Sequence, residues 1–184
     1  MIKPNLLVLE QWDLHSRAFN CPAQWEFLDC KLERALTAEH QGDDDKAFQI
    51  YLELIDSCAE YLPALNNLGA LLRKHGEPRR AIPYLANAVA IGLACVPDDF
   101  ELGKDLIPWY WEDNRAFLTA YENLGCCYLD LGDGHLDKAL DTFSQVVTIN
   151  PGYRGVTDLV RKLQALLGTG EEISDDCSPL HPVI

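Results

Sequence analysis

The chain has 184 residues, 15 of them basic and 29 acidic, for a net charge of −14. That balance argues against nucleic acid and anionic membrane as main partners, since both require a basic face, and it favours a protein partner carrying basic patches. Seven cysteines, an odd number, fall mostly within apolar periodic segments; they read as small core residues in a reducing compartment, not as a disulfide framework, and point to a cytoplasmic protein.

In chain order, residues 1–20 hold an apolar strip, Leu6, Leu7, Leu9, Trp12 and Leu14, too short for a secretory signal. Pro22 opens a helix to about His40, which Gly42 ends. A second helix runs from about Asp44 to Ala59 with Ala47, Tyr51 and Leu54 on one face, a third from Pro63 to His75, and a fourth from Pro78 to about Cys95. Ala81 to Val96 is uncharged, but it carries Pro83, Tyr84 and Asn87 and falls short of the ~20 apolar residues of a membrane span. Residues 96–117 form an insertion, and a long helical pattern runs from Pro108 to about Leu131. After the Asp133-Gly134 turn comes a helix from Leu136 to Thr148, stopped by Asn150-Pro151-Gly152. A last amphipathic helix spans Arg154 to Leu167, with Arg161, Lys162 and Gln164 for its wet face, and the polar stretch 168–184 is expected to be flexible. No alternating strand pattern occurs.

A repeat underlies this order. Gly42 and Gly76 are 34 residues apart, as are Ala47 and Ala81, and a third copy follows at Gly132 and Ala139 with two extra residues. The best copy reads Tyr121, Leu124-Gly125, Tyr128, Ala139, Phe143, Pro151; the second reads Leu65, Leu68-Gly69, Leu72, Ala81, Leu85; the first has Ala35, Ala38, Ala47 and Tyr51. Small residues at Ala35, Gly69 and Gly125 and at Ala47, Ala81 and Ala139 allow paired helices to approach closely, and the larger residue four places after each alanine of the second set fills the space left. These residues resemble the tetratricopeptide repeat, with copies at 28–61, 62–95 and 118–153. The resemblance implies an all-α, tetratricopeptide-type helical-repeat solenoid of three helix pairs with a C-terminal capping helix at 154–167, residues 21–167 forming the domain and residues 1–20 capping its first repeat.

The resemblance also implies a peptide-binding groove lined by the first helix of each pair. Carried over position by position, its candidates are Leu32, Glu33, Leu36 and His40; Asn66, Asn67, Ala70, Arg73 and Lys74; and Glu122, Asn123, Cys126, Leu129 and Asp130. Asn67 and Asn123 occupy places where the family often holds a peptide backbone, and an amide suits that role because it donates and accepts at once. The subgroup that grips the carboxylate terminus of heat-shock chaperones needs cations where this chain has Leu32, Leu36, Thr119 and Asn123, so that ligand is not expected, although Arg73 and Lys74 leave one basic spot. Trp109 and Trp111 in the insertion are candidates either for contact with a partner or for covering the end of the long helix.

The implied function is that of an adaptor, monomer or weak homodimer, binding another protein or a peptide. A scaffold self-associating through residues 1–20 is the alternative, and a helical enzyme a remote one. No motif for a nucleophile, a cofactor or a phosphate appears. Cys21, Cys30 and His15 match no zinc spacing, and Cys126 and Cys127 are adjacent on a helix and diverge, so no metal site is expected. His40 and His75 lie near helix ends, where the helix dipole accounts for them.

Overall fold

The computed structural model describes residues 22–94 and 115–168. The strip at 1–20, Trp109, Trp111 and the stretch after Gly168 lie outside the described residues. Among those described there is no strand, and seven α-helices follow one another: α1 (Pro22–His40), α2 (Asp44–Ser57), α3 (Leu62–Lys74), α4 (Pro78–Ala94), α5 (Arg115–Asp130), α6 (Leu136–Ile149) and α7 (Val156–Leu167). Each helix packs on the next, and α3 also packs on α5. The result is an all-α helical-repeat solenoid of three hairpins closed by a single helix.

The turns show the repeat at atomic level. Gly42 and Gly76 have φ of +78° and +75°, in the left-handed region that glycine alone enters freely. The Gly42 N–H donates to the Glu39 carbonyl and the Asp43 N–H to that of Ala38; 34 residues on, the Gly76 N–H donates to Arg73 and the Glu77 N–H to Leu72. This is the same Schellman closure used twice, and it satisfies the last carbonyls of α1 and α3. Asp43 then caps α2 through a bond from the Lys46 N–H. The third turn begins alike, with Gly132 at φ +84° donating to Leu129, but inserts a 3-10 turn, Asp133–His135, which absorbs the two extra residues.

Small residues meet large ones as their spacing requires. A Cβ placed on Gly69 would lie 2.6 Å from Leu85 Cδ2, and one on Gly125 would lie 2.7 Å from Phe143 Cζ. Both glycines are therefore in contact with the second helix of their own hairpin. Ala35, Ala47, Ala81 and Ala139 are fully buried, as are Tyr51, Leu85 and Phe143, each four residues after its alanine. One close approach has no counterpart in the motif: Gly92 of α4 receives the Phe117 ring, and a Cβ there would overlap the ring edge. This contact seats α5 on α4.

Two boundaries differ by two residues from those read in the sequence. Helix α2 ends at Ser57, because Cys58 turns extended (φ −150°, ψ 99°) while its N–H still donates to Leu54. Helix α7 starts at Val156, not Arg154, because Arg154 (φ 42°) and Gly155 (φ 74°) are both left-handed and cannot continue a right-handed helix. No helix among the described residues is long and apolar enough to cross a membrane.

Candidate functional site

The first helices of the three hairpins, α1, α3 and α5, carry the groove candidates. Their polar groups form a connected line. Asn123 Nδ2 on α5 donates to Asn66 Oδ1 on α3 at 3.1 Å, and Asn66 Nδ2 donates to Asn67 Oδ1 at 3.2 Å. Separately, between α2 and α1, Tyr51 Oη donates to Glu39 Oε2 at 2.6 Å.

A carboxylate oxygen accepts, so Tyr51 donates to Glu39. Asn123 donates from α5 to α3, and Tyr51 donates from α2 to α1. Burial, and then the bond to Glu39, hold the Tyr51 phenol well above its ordinary pKa; Tyr61 behaves likewise through burial and its 2.6 Å bond to Asp29 Oδ1.

Asn66 is almost fully buried, with 5% of its surface accessible, and serves as the joint between neighbouring hairpins, while Asn67 and Asn123 on either side remain half-buried. The sequence reading singled out Asn67 and Asn123 to hold a peptide backbone and gave Asn66 only as a groove candidate. The structure separates the inner amide, whose oxygen and one N–H are committed, from Asn123, whose Oδ1 has no partner among the described residues.

The basic spot expected at Arg73 and Lys74 is neutralised. Arg73 Nε lies 2.6 Å from Asp130 Oδ2, tying α3 to α5, and Lys74 Nζ lies 2.9 Å from Asp44 Oδ2 at the start of α2. His75 Nε2 is also 2.9 Å from Asp44, so this side chain reaches a carboxylate in addition to sitting at a helix end. These contacts hold the Asp44 carboxyl below its ordinary pKa, the Lys74 bond being the largest cause. The sequence could not show this, because each partner comes from a different hairpin.

Of the remaining candidates, Leu32, Cys126 and Leu129 are half-buried against the core. Leu36 and Ala70 are half-buried, and Glu33 is exposed. His40 Nδ1 lies 3.0 Å from the Leu36 carbonyl, and a depression of about 210 Å³ is lined by Leu36, Glu39 and His40. At the far end, Glu122 Oε2 accepts from Arg154 at 3.1 Å and from Tyr153 Oη at 3.3 Å, and the Arg154 guanidinium lies over the Tyr153 ring. Thr119 meets the same tyrosine hydroxyl at 3.2 Å. Sequence reasoning missed Glu39, Tyr51, Tyr153 and Arg154. Tyr51 reads as a core filler, and nothing in the linear pattern marks its hydroxyl as a link.

Burial pushes the Cys127 thiol up to about 12 and raises that of Cys126 as well, which makes both poor nucleophiles and poor metal ligands. No group of histidine, cysteine and carboxylate side chains able to hold a metal occurs among the described residues.

Helical hairpins stacked through small residues, with a line of polar side chains along the first helices, define a helical-repeat protein of the tetratricopeptide type. The sequence model of the tetratricopeptide repeat matches residues 118–153. Among solved structures, the first such domain of Spaghetti (RPAP3), bound to the HSP90 peptide SRMEEVD, is 18% identical with a TM-score of 0.58, covering 77% of this chain and 93% of that one. The first domain of human RPAP3 is 20% identical with a TM-score of 0.56, at the same coverages of 77% and 93%. A double mutant of MamA is 17% identical with a TM-score of 0.56, covering 77% of this chain and 66% of that one. No curated protein matches the chain. Residues 118–153 match the repeat itself, and at these identities the structural likeness speaks for the fold alone.

Proposed function

We propose that this chain is a protein-interaction adaptor whose groove, formed by α1, α3 and α5, takes a peptide segment of another protein. The observation that carries the reading is the amide line. It holds Asn67 and Asn123 on a half-buried face, and among the described residues it leaves the Asn123 carbonyl without a partner, open to a ligand N–H. Polar groups prepositioned in this way lower the ordering cost of binding. The Spaghetti domain of the same fold holds a peptide from HSP90. A carboxylate-terminated ligand of that kind does not suit this chain: Leu32, Leu36 and Thr119 bring no cation, and Arg73 and Arg154 are already paired with Asp130 and Glu122.

The test is affinity capture from native lysate with the full chain and with Ala70→Trp, which places a bulky ring on the half-buried α3 surface. Partners held by the wild-type chain and lost with Ala70→Trp support the groove; identical profiles refute it. A second reading, self-association, is favoured by the exposure of Phe27 (61%) on the first helix and Leu166 (75%) on the last. Light scattering on the purified chain decides that point: a concentration-independent monomer removes it.

A further inference from the structure

Two acceptors on this face have no partner among the described residues. Asn123 offers Oδ1 on α5. On α1, Tyr51 occupies Oε2 of Glu39, and Oε1 is open. Beside it, the Leu36 carbonyl can only accept, so His40 Nδ1 is its donor. Glu39 and His40 share the 210 Å³ depression with the Leu36 side chain, which gives that depression an apolar wall and an acceptor rim.

The charges around it are sorted in the same sense. Of the cations on α1, Lys31 lies 2.7 Å from Glu53 on α2, and Arg34 also acts on Glu53. Lys74 feels Glu39 but is bonded to Asp44. Arg73 and Arg154 are paired. Glu33, exposed, and Glu39 have no ion-pair partner among the described residues.

Resting on the groove reading above, we propose that the segment bound there carries a lysine or arginine whose alkyl stem lies on Leu36 and whose cation is received by Glu39, with backbone N–H groups reaching Asn123. A basic side chain matches this site in both respects: its stem needs an apolar wall, and its head brings only donors. An acidic segment would meet Glu33 and Glu39, while Arg73, Lys74 and Arg154 are already paired with other carboxylates. The neighbour's HSP90 ligand, SRMEEVD, ends in acidic residues, so the two domains share a fold and differ in the charge they select.

The experiment is selection of a randomised heptapeptide display library on the full chain, with the selected peptides then measured by fluorescence anisotropy against the wild type, Glu39→Gln and Ala70→Trp. The amide oxygen introduced by Glu39→Gln still accepts from Tyr51, so that bond and the melting temperature are kept while the charge is removed. The expected result is enrichment of Lys or Arg at one position, about tenfold weaker binding to Glu39→Gln, weakening by salt, and loss of binding with Ala70→Trp. Peptides that Ala70→Trp blocks but that show no basic enrichment, end in acidic residues or ignore Glu39→Gln overturn the basic-segment inference and leave the groove intact. Peptides that still bind Ala70→Trp, or a selection that yields none, overturn the groove and this inference with it.

Discussion

Replacing Gly125 by alanine sets two effects of known sign against each other. Gly125 lies within α5, where alanine is favoured over glycine by ~1 kcal/mol in helix propensity. Against this, the new methyl would lie 2.7, 2.8 and 2.9 Å from three atoms at the far end of the Phe143 ring, distances that real Cβ contacts do not show. The ring must retreat by more than half an ångström, and it has nowhere to go, because Phe143 is fully buried. Overpacking of this kind costs about 1–3 kcal/mol. The expected net is destabilisation by ~1 kcal/mol, read as a fall of about 2–4 °C in the melting temperature of a domain this size. Phe143→Leu removes the obstructing ring. In that background Gly125→Ala should change sign and stabilise by about the propensity difference, giving a coupling of ~2 kcal/mol in a double-mutant cycle followed by urea denaturation and circular dichroism. Gly134→Ala, which meets nothing within 4 Å, is the control. If Gly125→Ala stabilises equally in both backgrounds, close approach at Gly125 does not hold the hairpin, and the account of the stack through small residues fails. Gly125→Leu, with three more carbons aimed at the same ring, is expected to abolish the fold.

Three further outcomes follow from the polar contacts. Asn66→Ala strands the Asn123 amide and the Asn67 oxygen at once; it should cost about 1–3 kcal/mol in chemical denaturation, and a variant of wild-type stability would show that the amide line contributes nothing. Asp44 has a folded pKa below its ordinary 3.8, so its contribution is complete above that value and is lost as pH falls through the lowered pKa. Asp44→Asn should therefore flatten the acid limb of the stability curve below about pH 4 relative to wild type, and superimposable limbs would contradict the Lys74 contact. Maleimide labelling at pH 8, mapped by mass spectrometry, should modify exposed Cys30 readily and leave buried Cys127, its thiol at about 12, untouched until denaturant is added. Labelling of Cys127 in the native chain at the rate of Cys30 would refute its burial.

The backbone plan is legible in the sequence because its determinants are local. A glycine that must turn left-handed, an alanine five residues on and a large residue four beyond that leave a periodic trace, and those positions meet in the structure as their types require. The Phe117–Gly92 contact leaves no such trace. Gly92 lies in the second copy and Phe117 just ahead of the third, on the other side of residues 95–114, and Gly92 in isolation looks like a weak point in a helix. The candidate site divides in the same way. Which helices carry it follows from the repeat, so Asn66, Asn67 and Asn123 could be named together. How their valences are spent could not be read, since Asn123 bonds across to α3, Tyr51 bonds back to α1, and both cations of the expected basic spot are taken by carboxylates of other hairpins. Side-chain pairing between layers depends on three-dimensional register, and a linear pattern does not encode it.

The seat that Gly92 offers to Phe117 has a consequence for how the chain can be divided. Helices α4 and α5 are held together by a ring set into a notch, independently of the peptide bonds that join them. Separate pieces of the chain carrying α1–α4 and α5–α7 would each bring one half of this contact, the notch and the ring, and so hold what is needed to recognise each other.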